Sequence, residues 1–303
     1  MRYWLHTAPV TSIVIPAHNE ARVIGRLLDA LLADPSETET DIVVVCNGCT
    51  DDTARIAAAR GPRVRVVEIP VPSKHVALRT GDDHARGFPR LYVDADVVIT
   101  GADVRALTEP LRDDASGVLA TAPARQIPLT ACAWRVRAYY RVWQRLPAVR
   151  EGLFGRGVIA VSRAGHARIA SLPPLMADDL AASLAFTPRE RLVVGTARVV
   201  VQPPRTWRDL IKRRIRAAVS TAQVEQHRRA EQRPGAEQQR RPEEPSARTS
   251  KADLLAVLRG EPRLFTGVVV FVAAAAVARR GARKAIRAQD FGTWLRDESS
   301  RQT

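Results

Sequence analysis

Continuous apolar runs in the first hundred residues alternate with stretches whose apolar positions recur every three or four residues. Thr11–Ile15, Ile42–Val45, Val64–Ile69 and Leu91–Val93 have the pattern of strands buried on both faces. Between them, Glu20–Ala33 gathers Val23, Ile24, Leu27, Leu28, Leu31 and Leu32 on one helical stripe. Thr50–Ala59, with Thr50 or Asp51 as its N-cap, and Lys74–Ala85 read as shorter helices. Strands separated by helices predict an α/β fold with a mostly parallel sheet covered on both faces. Downstream, the pattern predicts a helix over Asp103–Leu111 and a strand over Gly117–Ala122. A long helix over Thr130–Leu146 follows, studded with Trp134, Tyr139, Tyr140 and Trp143. Strands over Val158–Val161 and Arg191–Val201, a helix from Met176 to Phe186 and a basic helix over Trp207–Val224 complete the pattern.

In parallel sheets ligands bind outside the carboxyl ends of the strands. The polar clusters His18-Asn19-Glu20, Asn47-Gly48 and Asp94-Ala95-Asp96 all fall at such ends. Carboxylates one residue apart, where a strand ends and the backbone turns, can converge on one ion. Hard oxygen ligands suit Mg²⁺ or Mn²⁺, ions that bridge to a substrate's phosphates. The cluster thus points to a nucleoside-diphosphate site, and a solvated Asp-x-Asp turn is the bland alternative. No G-x-G-x-x-G follows the first strand, which argues against a dinucleotide oxidoreductase.

Composition narrows the picture. At 303 residues and 46% hydrophobic content, the chain can hold one large α/β domain plus appendages. Its three cysteines are too few for a disulfide framework. Cys46 and Cys49 form a C-x-x-C, but no second such pair or paired histidines accompany it, so reduced thiols in a cytoplasmic setting are expected. The N-terminal Met1–His6 stretch has no apolar core, so no signal peptide is expected.

The net charge of +15 is concentrated late in the chain: residues 205–303 hold 22 Lys and Arg against 11 Asp and Glu, a surplus of 11. That bias suits an anionic membrane surface. Nucleic acid is not expected as a partner, because glutamates interrupt the basic tail and aromatic residues do not interleave it. Gln226–Ser250 is rich in Gln, Arg, Glu and Pro and reads as a linker. Leu264–Ala278 is apolar except for Thr266 and is flanked by Arg263, Arg279 and Arg280. A core helix, an interfacial helix and a short spanning helix all fit that run. The expected organisation is a catalytic domain over 1–224, a charged linker over 225–250 and a helical basic segment over 251–303.

Taken in order, Ile13-Val-Ile-Pro-Ala-His-Asn-Glu20, Val44-Val-Cys-Asn-Gly-Cys-Thr-Asp-Asp-Thr53, Lys74-His-Val-Ala-Leu78 with Gly81, Asp94-Ala-Asp96 and Asp178-Asp179 resemble the family 2 glycosyltransferases of the GT-A fold. The resemblance covers about residues 11–216. It implies an inverting sugar transfer from a UDP- or GDP-linked donor to a saccharide or lipid-linked acceptor hydroxyl, with Mg²⁺ or Mn²⁺. By motif position, Asp96 and Asp94 would hold the metal, and Asp179, with Asp178 beside it, would take the acceptor's proton. Pro16, Ala17, Asn19, Glu20, Asn47, Lys74 and Asp94 would face the nucleotide. Gly155 and Gly157 would line the meeting point of donor and acceptor, and Arg213 and Arg216 would neutralise diphosphate.

Two departures from the family's pattern stand out. Position 47 is Asn where Asp is commoner. Arg213-Arg214-Ile215-Arg216-Ala217 stands where processive synthases carry Gln-x-x-Arg-Trp, so non-processive transfer in polysaccharide, cell-envelope or glycolipid synthesis is expected. The expected location is cytoplasmic, peripheral on the inner face of the membrane. A GT-A-like nucleotide-binding domain without transfer activity is the alternative.

Overall fold

The computed structural model describes residues 10–33, 40–172, 178–231 and 249–287. In chain order the elements are β1 (Thr11–Ala17), α1 (Ile24–Leu32), β2 (Thr40–Asn47), α2 (Thr53–Ala58), β3 (Val64–Ile69), α3 (Lys74–His84), β4 (Arg90–Val93), α4 (Gly101–Thr108) and β5 (Ala120–Gln126). There follow α5 (Trp134–Trp143), α6 (Pro147–Glu151), β6 (Val158–Val161), α7 (Arg163–Ala170), α8 (Asp178–Leu184), β7 (Arg191–Val200), α9 (Trp207–Glu231), α10 (Lys251–Gly260) and α11 (Phe265–Arg287). The chain divides into two compact units: one holds all seven strands with α1–α4 and α7, the other holds α5, α6 and α8–α11.

In the first unit the strand order is β3-β2-β1-β4-β6-β5-β7. β1 runs parallel to β2 and β4, and β6 is antiparallel to both β4 and β5. The sheet is therefore mostly parallel, as the apolar runs predict. Both faces of β2 are used. Ile42 and Val44 join the main core with Leu27, Leu28 and Leu31 of α1, while Val43 and Val45 pack with Ala77 of α3. Gly81 lets α3 lie close on β1, since a Cβ there would sit 2.2 Å from Val14 Cγ1. Pro16 lacks an N–H, and it lies beyond the stretch Ser12–Val14 that pairs with β4.

Several boundaries shift for local reasons. α1 begins at Ile24 rather than Glu20, because Asn19 takes a left-handed φ of 53° and Glu20 O instead closes a turn onto Val23 N and Ile24 N, both at 2.9 Å. α2 begins at Thr53, and its N-cap is Asp52, not Thr50 or Asp51. The Asp51 carboxylate accepts from Thr53 N at 3.1 Å and Ala21 N at 3.1 Å, so it braces two loops. β5 begins at Ala120 because Gly117 turns at φ 68°, and its pairing with β7 slips between Pro123 and Ala124.

In the second unit, Val136, Tyr139 and Val142 of α5, Leu210 of α9, Val257 of α10 and Phe271 and Ala274 of α11 form the core. The Tyr139 and Phe271 rings stack at 5.1 Å. The expected domain boundary at residue 224 falls inside α9, and of the expected linker the residues 232–248 lie outside those described. The apolar run beyond it forms α11, which docks against α5 and α9 by one face. Gly267 permits that approach, since a Cβ there would meet Val142 Cγ2 at 3.0 Å.

Candidate active site

Three loops leave the carboxyl ends of β1, β2 and β4, and hydrogen bonds knit the first two together. Asn47, at the end of β2, is 3% exposed and its side-chain amide donates to Ala17 O at 2.9 Å. His18 Nδ1 lies 2.6 Å from Asn47 O. Asn19 Oδ1 accepts from Thr50 N at 2.8 Å, and the Cys49 thiol donates to Ala17 O at 3.4 Å. Glu20 is buried, and its N–H donates to Thr53 Oγ1 at 2.8 Å. Asn47, expected to face the nucleoside, thus has its amide directed to the backbone of the first loop. Its role in the structure is to hold the Pro16–Glu20 loop against the end of β2.

The C-x-x-C thiols belong to the same brace. Burial, then the neighbouring Cys49 thiol, pushes Cys46 up to about 12, so it stays a neutral thiol. Burial pushes the Asp51 carboxyl up, but its hydrogen bonds from the Thr53 hydroxyl and the backbone outweigh that and hold it below the usual carboxylate range.

The third loop carries the paired carboxylates. β4 ends at Val93, and the next residue, Asp94, donates its backbone N–H to Gly157 O at 2.7 Å. Lys74, the first residue of α3 after the Ser73 cap, sends Nζ to 2.8 Å from Asp94 Oδ1. That contact joins two motifs twenty residues apart in sequence. Asp96 is exposed. Gly157 has φ 68°, and a Cβ there would sit 2.5 Å from Val97 Cγ1 and 3.3 Å from Asp94 Oδ2. The backbone can approach the carboxylates only because residue 157 is glycine. Gly155 also has a positive φ, 64°.

Asp94 and Asp96 supply only hard oxygen donors, and the described residues contain no group of three or more His, Cys, Asp or Glu suited to a metal. A donor set of one or two carboxylates fits Mg²⁺ or Mn²⁺, which fill their remaining positions with water and phosphate oxygens. It does not fit Zn²⁺, whose structural and catalytic sites draw three or four ligands from the protein.

Between the two glycines lies Arg156. It is 2% exposed, its Nη1 donates to Pro123 O at 2.8 Å, and burial pulls its pKa down to about 10. Nothing in the sequence distinguishes it from the chain's many solvated arginines.

In the second unit, Asp178 and Asp179 open α8. Asp179 is exposed, and its Oδ1 accepts from Leu180 N at 2.8 Å. Ser183 of the same helix is fully buried and accepts from Leu153 N at 2.9 Å, which ties α8 to the segment after α6. Arg213 Nη1 donates to Gln202 O at 3.1 Å, and both Arg213 and Arg216 of α9 are half-buried.

Residues 12–170 match the family model for glycosyl transferase family 2. A dolichyl-phosphate beta-glucosyltransferase of Trichomonas vaginalis is 35% identical over 97 residues, covering 28% of this chain and 29% of that protein. A 4,4'-diaponeurosporenoate glycosyltransferase of Staphylococcus aureus is 34% identical over 96 residues, covering 30% and 25%. The matches thus span less than a third of these relatives' lengths. A mannosyltransferase of Pyrobaculum calidifontis, solved in complex with GDP-Man and Mn²⁺, is 21% identical, covers 96% of this chain and 81% of that one, and has a TM-score of 0.57. The likeness shows a shared GT-A fold. With the family model matched over more than half of its 303 residues, the chain belongs to glycosyl transferase family 2.

Proposed function

We propose that the protein transfers a sugar from a UDP- or GDP-linked donor to the hydroxyl of a saccharide or lipid-linked acceptor, with inversion and one residue at a time. The observation that carries the reading is the Lys74–Asp94 contact at 2.8 Å beside Gly157, where a cation, a carboxylate and a side-chain-free backbone meet at the end of β4. In this reading Asp96 and Asp94 would hold Mg²⁺ or Mn²⁺, which when bound would supply positive charge against the departing diphosphate. Lys74 orients Asp94 and adds positive charge on the phosphate side. Pro16, Ala17, Asn19 and Glu20 line the nucleoside side, and Asn47 fixes their loop.

Asp179 takes the proton of the attacking hydroxyl, a role open to an exposed carboxylate at a helix start. Arg213 and Arg216 neutralise diphosphate, and the missing Gln and Trp of the processive motif support single addition. The names of the curated relatives, both glycosyltransferases, support transfer as the activity. The setting that suits such donors is the cytoplasm, at the inner face of a membrane, in cell-envelope, polysaccharide or glycolipid synthesis.

The test is release of nucleoside diphosphate from UDP- and GDP-sugars by the full chain with Mn²⁺. Release that stops on chelation supports the reading. Tight binding without release across a panel of saccharide and lipid-linked acceptors would favour a nucleotide-binding domain without transfer, and neither binding nor release would reject the site.

A further inference from the structure

α11 is apolar on both sides, yet the described residues cover only one of them. Gly267, Val270, Phe271, Ala274, Ala278 and Ala282 face the second unit's core, while Phe265, Val269, Val272 and Val277 are exposed, at 65%, 53%, 44% and 49%. Phe265, Val269, Val272, Ala276, Arg280 and Arg283 follow one another at steps of three and four, so they form a single outward stripe, apolar for three turns and then basic. In a soluble helix this stripe is normally polar.

Beside the start of α11 lies a groove of about 380 Å³ walled by Trp134, Arg137, Arg141, Arg263 and Thr266. Trp134 is 55% exposed, and no described residue pairs with the three arginines, whereas nearby Arg145 is held by Glu261. The stretch Pro262–Ile286 is long and apolar enough to cross a membrane. Crossing would also carry α5 and α9, with Arg137, Arg141, Lys212 and Arg216, into hydrocarbon, where cations are costly. A helix docked by one face and bare on the other fits the plane of the interface instead.

We propose that the outward face of α11 and the adjoining arginine groove form a peripheral docking surface for an anionic phospholipid bilayer. The Phe265–Ala276 stripe enters the headgroup–acyl boundary. Arg137, Arg141 and Arg263 take lipid phosphates, with the Trp134 indole at headgroup level, and Arg280 and Arg283 reach back to the surface on their aliphatic stems. Charge complementarity selects this occupant: uncommitted arginines flank the apolar stripe, and a neutral protein partner would leave them unanswered. The inference stands whether or not the first unit transfers sugar.

The experiment is flotation of the full chain with vesicles of phosphatidylcholine alone or mixed with phosphatidylglycerol. The chain should float with the mixed vesicles, stay down with phosphatidylcholine alone, and be released by high salt. The triple variant Arg137→Gln, Arg141→Gln, Arg263→Gln should bind the mixed vesicles roughly 100-fold more weakly. Phe265→Ser, Val269→Ser, Val272→Ser should also lose them while melting at the wild-type temperature, since those side chains are exposed. Should the serine variant melt early, the glutamine variant and quenching of Trp134 by brominated acyl chains, judged against Trp134→Phe, decide the matter. No flotation of the wild type, wild-type flotation of both variants, or a solution dimer that Val269→Arg breaks with no vesicle binding would each overturn the proposal.

Discussion

Gly157→Ala should destabilise the first unit by about 2–5 kcal/mol, the sum of two separable effects. The first is backbone conformation. Residue 157 sits at φ 68°, and an L-residue there costs about 1–2 kcal/mol. The second is space. The added Cβ would lie 2.5 Å from Val97 Cγ1, well inside ordinary contact. Val97 is 5% exposed and stiff at χ1, so it yields only by moving the backbone that carries Asp96, at an overpacking cost of about 1–3 kcal/mol. Gly117 supplies the control, because its φ is also 68° and nothing lies within 4 Å of its missing Cβ. Urea unfolding followed by far-ultraviolet circular dichroism should therefore place Gly117→Ala about 1–2 kcal/mol below wild type and Gly157→Ala a further 1–3 kcal/mol below that. Equal losses in the two variants would refute the claim that Gly157 is kept small by contact with the Asp94–Val97 turn.

Two further outcomes are expected. Asp82 accepts from Arg90 Nη1 and Tyr92 OH, both at 2.7 Å, with His166 Nε2 at 3.3 Å. Burial raises its pKa, but the hydrogen bonds from His166, Tyr92 and Arg90 outweigh that and hold it below the usual range. A folded-state value below the unfolded one, about 3.9, gives stability that is present above that pH and lost as pH falls through the folded value. Asp82→Asn should therefore be weaker by about 3 kcal/mol at neutral pH, where Arg90 is left buried, with a shallower acid limb in a stability–pH series; an unchanged limb would remove Asp82 from the account. Asp179→Asn should keep donor binding and lose turnover by about 10²–10⁴-fold, measured as nucleoside diphosphate release with acceptor present; wild-type turnover would take Asp179 out of the mechanism.

The parts legible in the sequence are those whose signal is local. β3 and β6 fall where the sequence pattern puts them, although β3 lies at the sheet edge and leaves Glu68 exposed. Helix starts moved where loop chemistry took over, as at Asp51, whose carboxylate serves Ala21 N as well as its own helix. α10 lies in the segment expected to be helical, and its start is legible too: Ser250 and Asp253 form a capping box, the same S/T-x-x-D signature that Thr100 and Asp103 give α4. The Lys74–Asp94 contact was not legible as a contact, because it depends on α3 and β4 meeting at one end of the sheet. Nor was the burial of Asn47 and Arg156, which depends on which carbonyls, Ala17 and Pro123, the fold presents to them. The apolar run in α11 was visible, but that only one of its faces is covered required α5 and α9 to be in place.

If Asp96 anchors a divalent ion and, through it, a nucleoside diphosphate, then nucleotide affinity must depend on both the ion and this carboxylate. Isothermal titration of UDP and GDP into wild type and Asp96→Ala, each with Mn²⁺ and again with chelator, tests it most directly. The wild type should bind one of the two nucleotides far more tightly with Mn²⁺ than without. Asp96→Ala, replaced at an exposed position, should melt like wild type but bind equally weakly in both conditions. Wild-type affinity and Mn²⁺ dependence in Asp96→Ala would contradict that anchoring role.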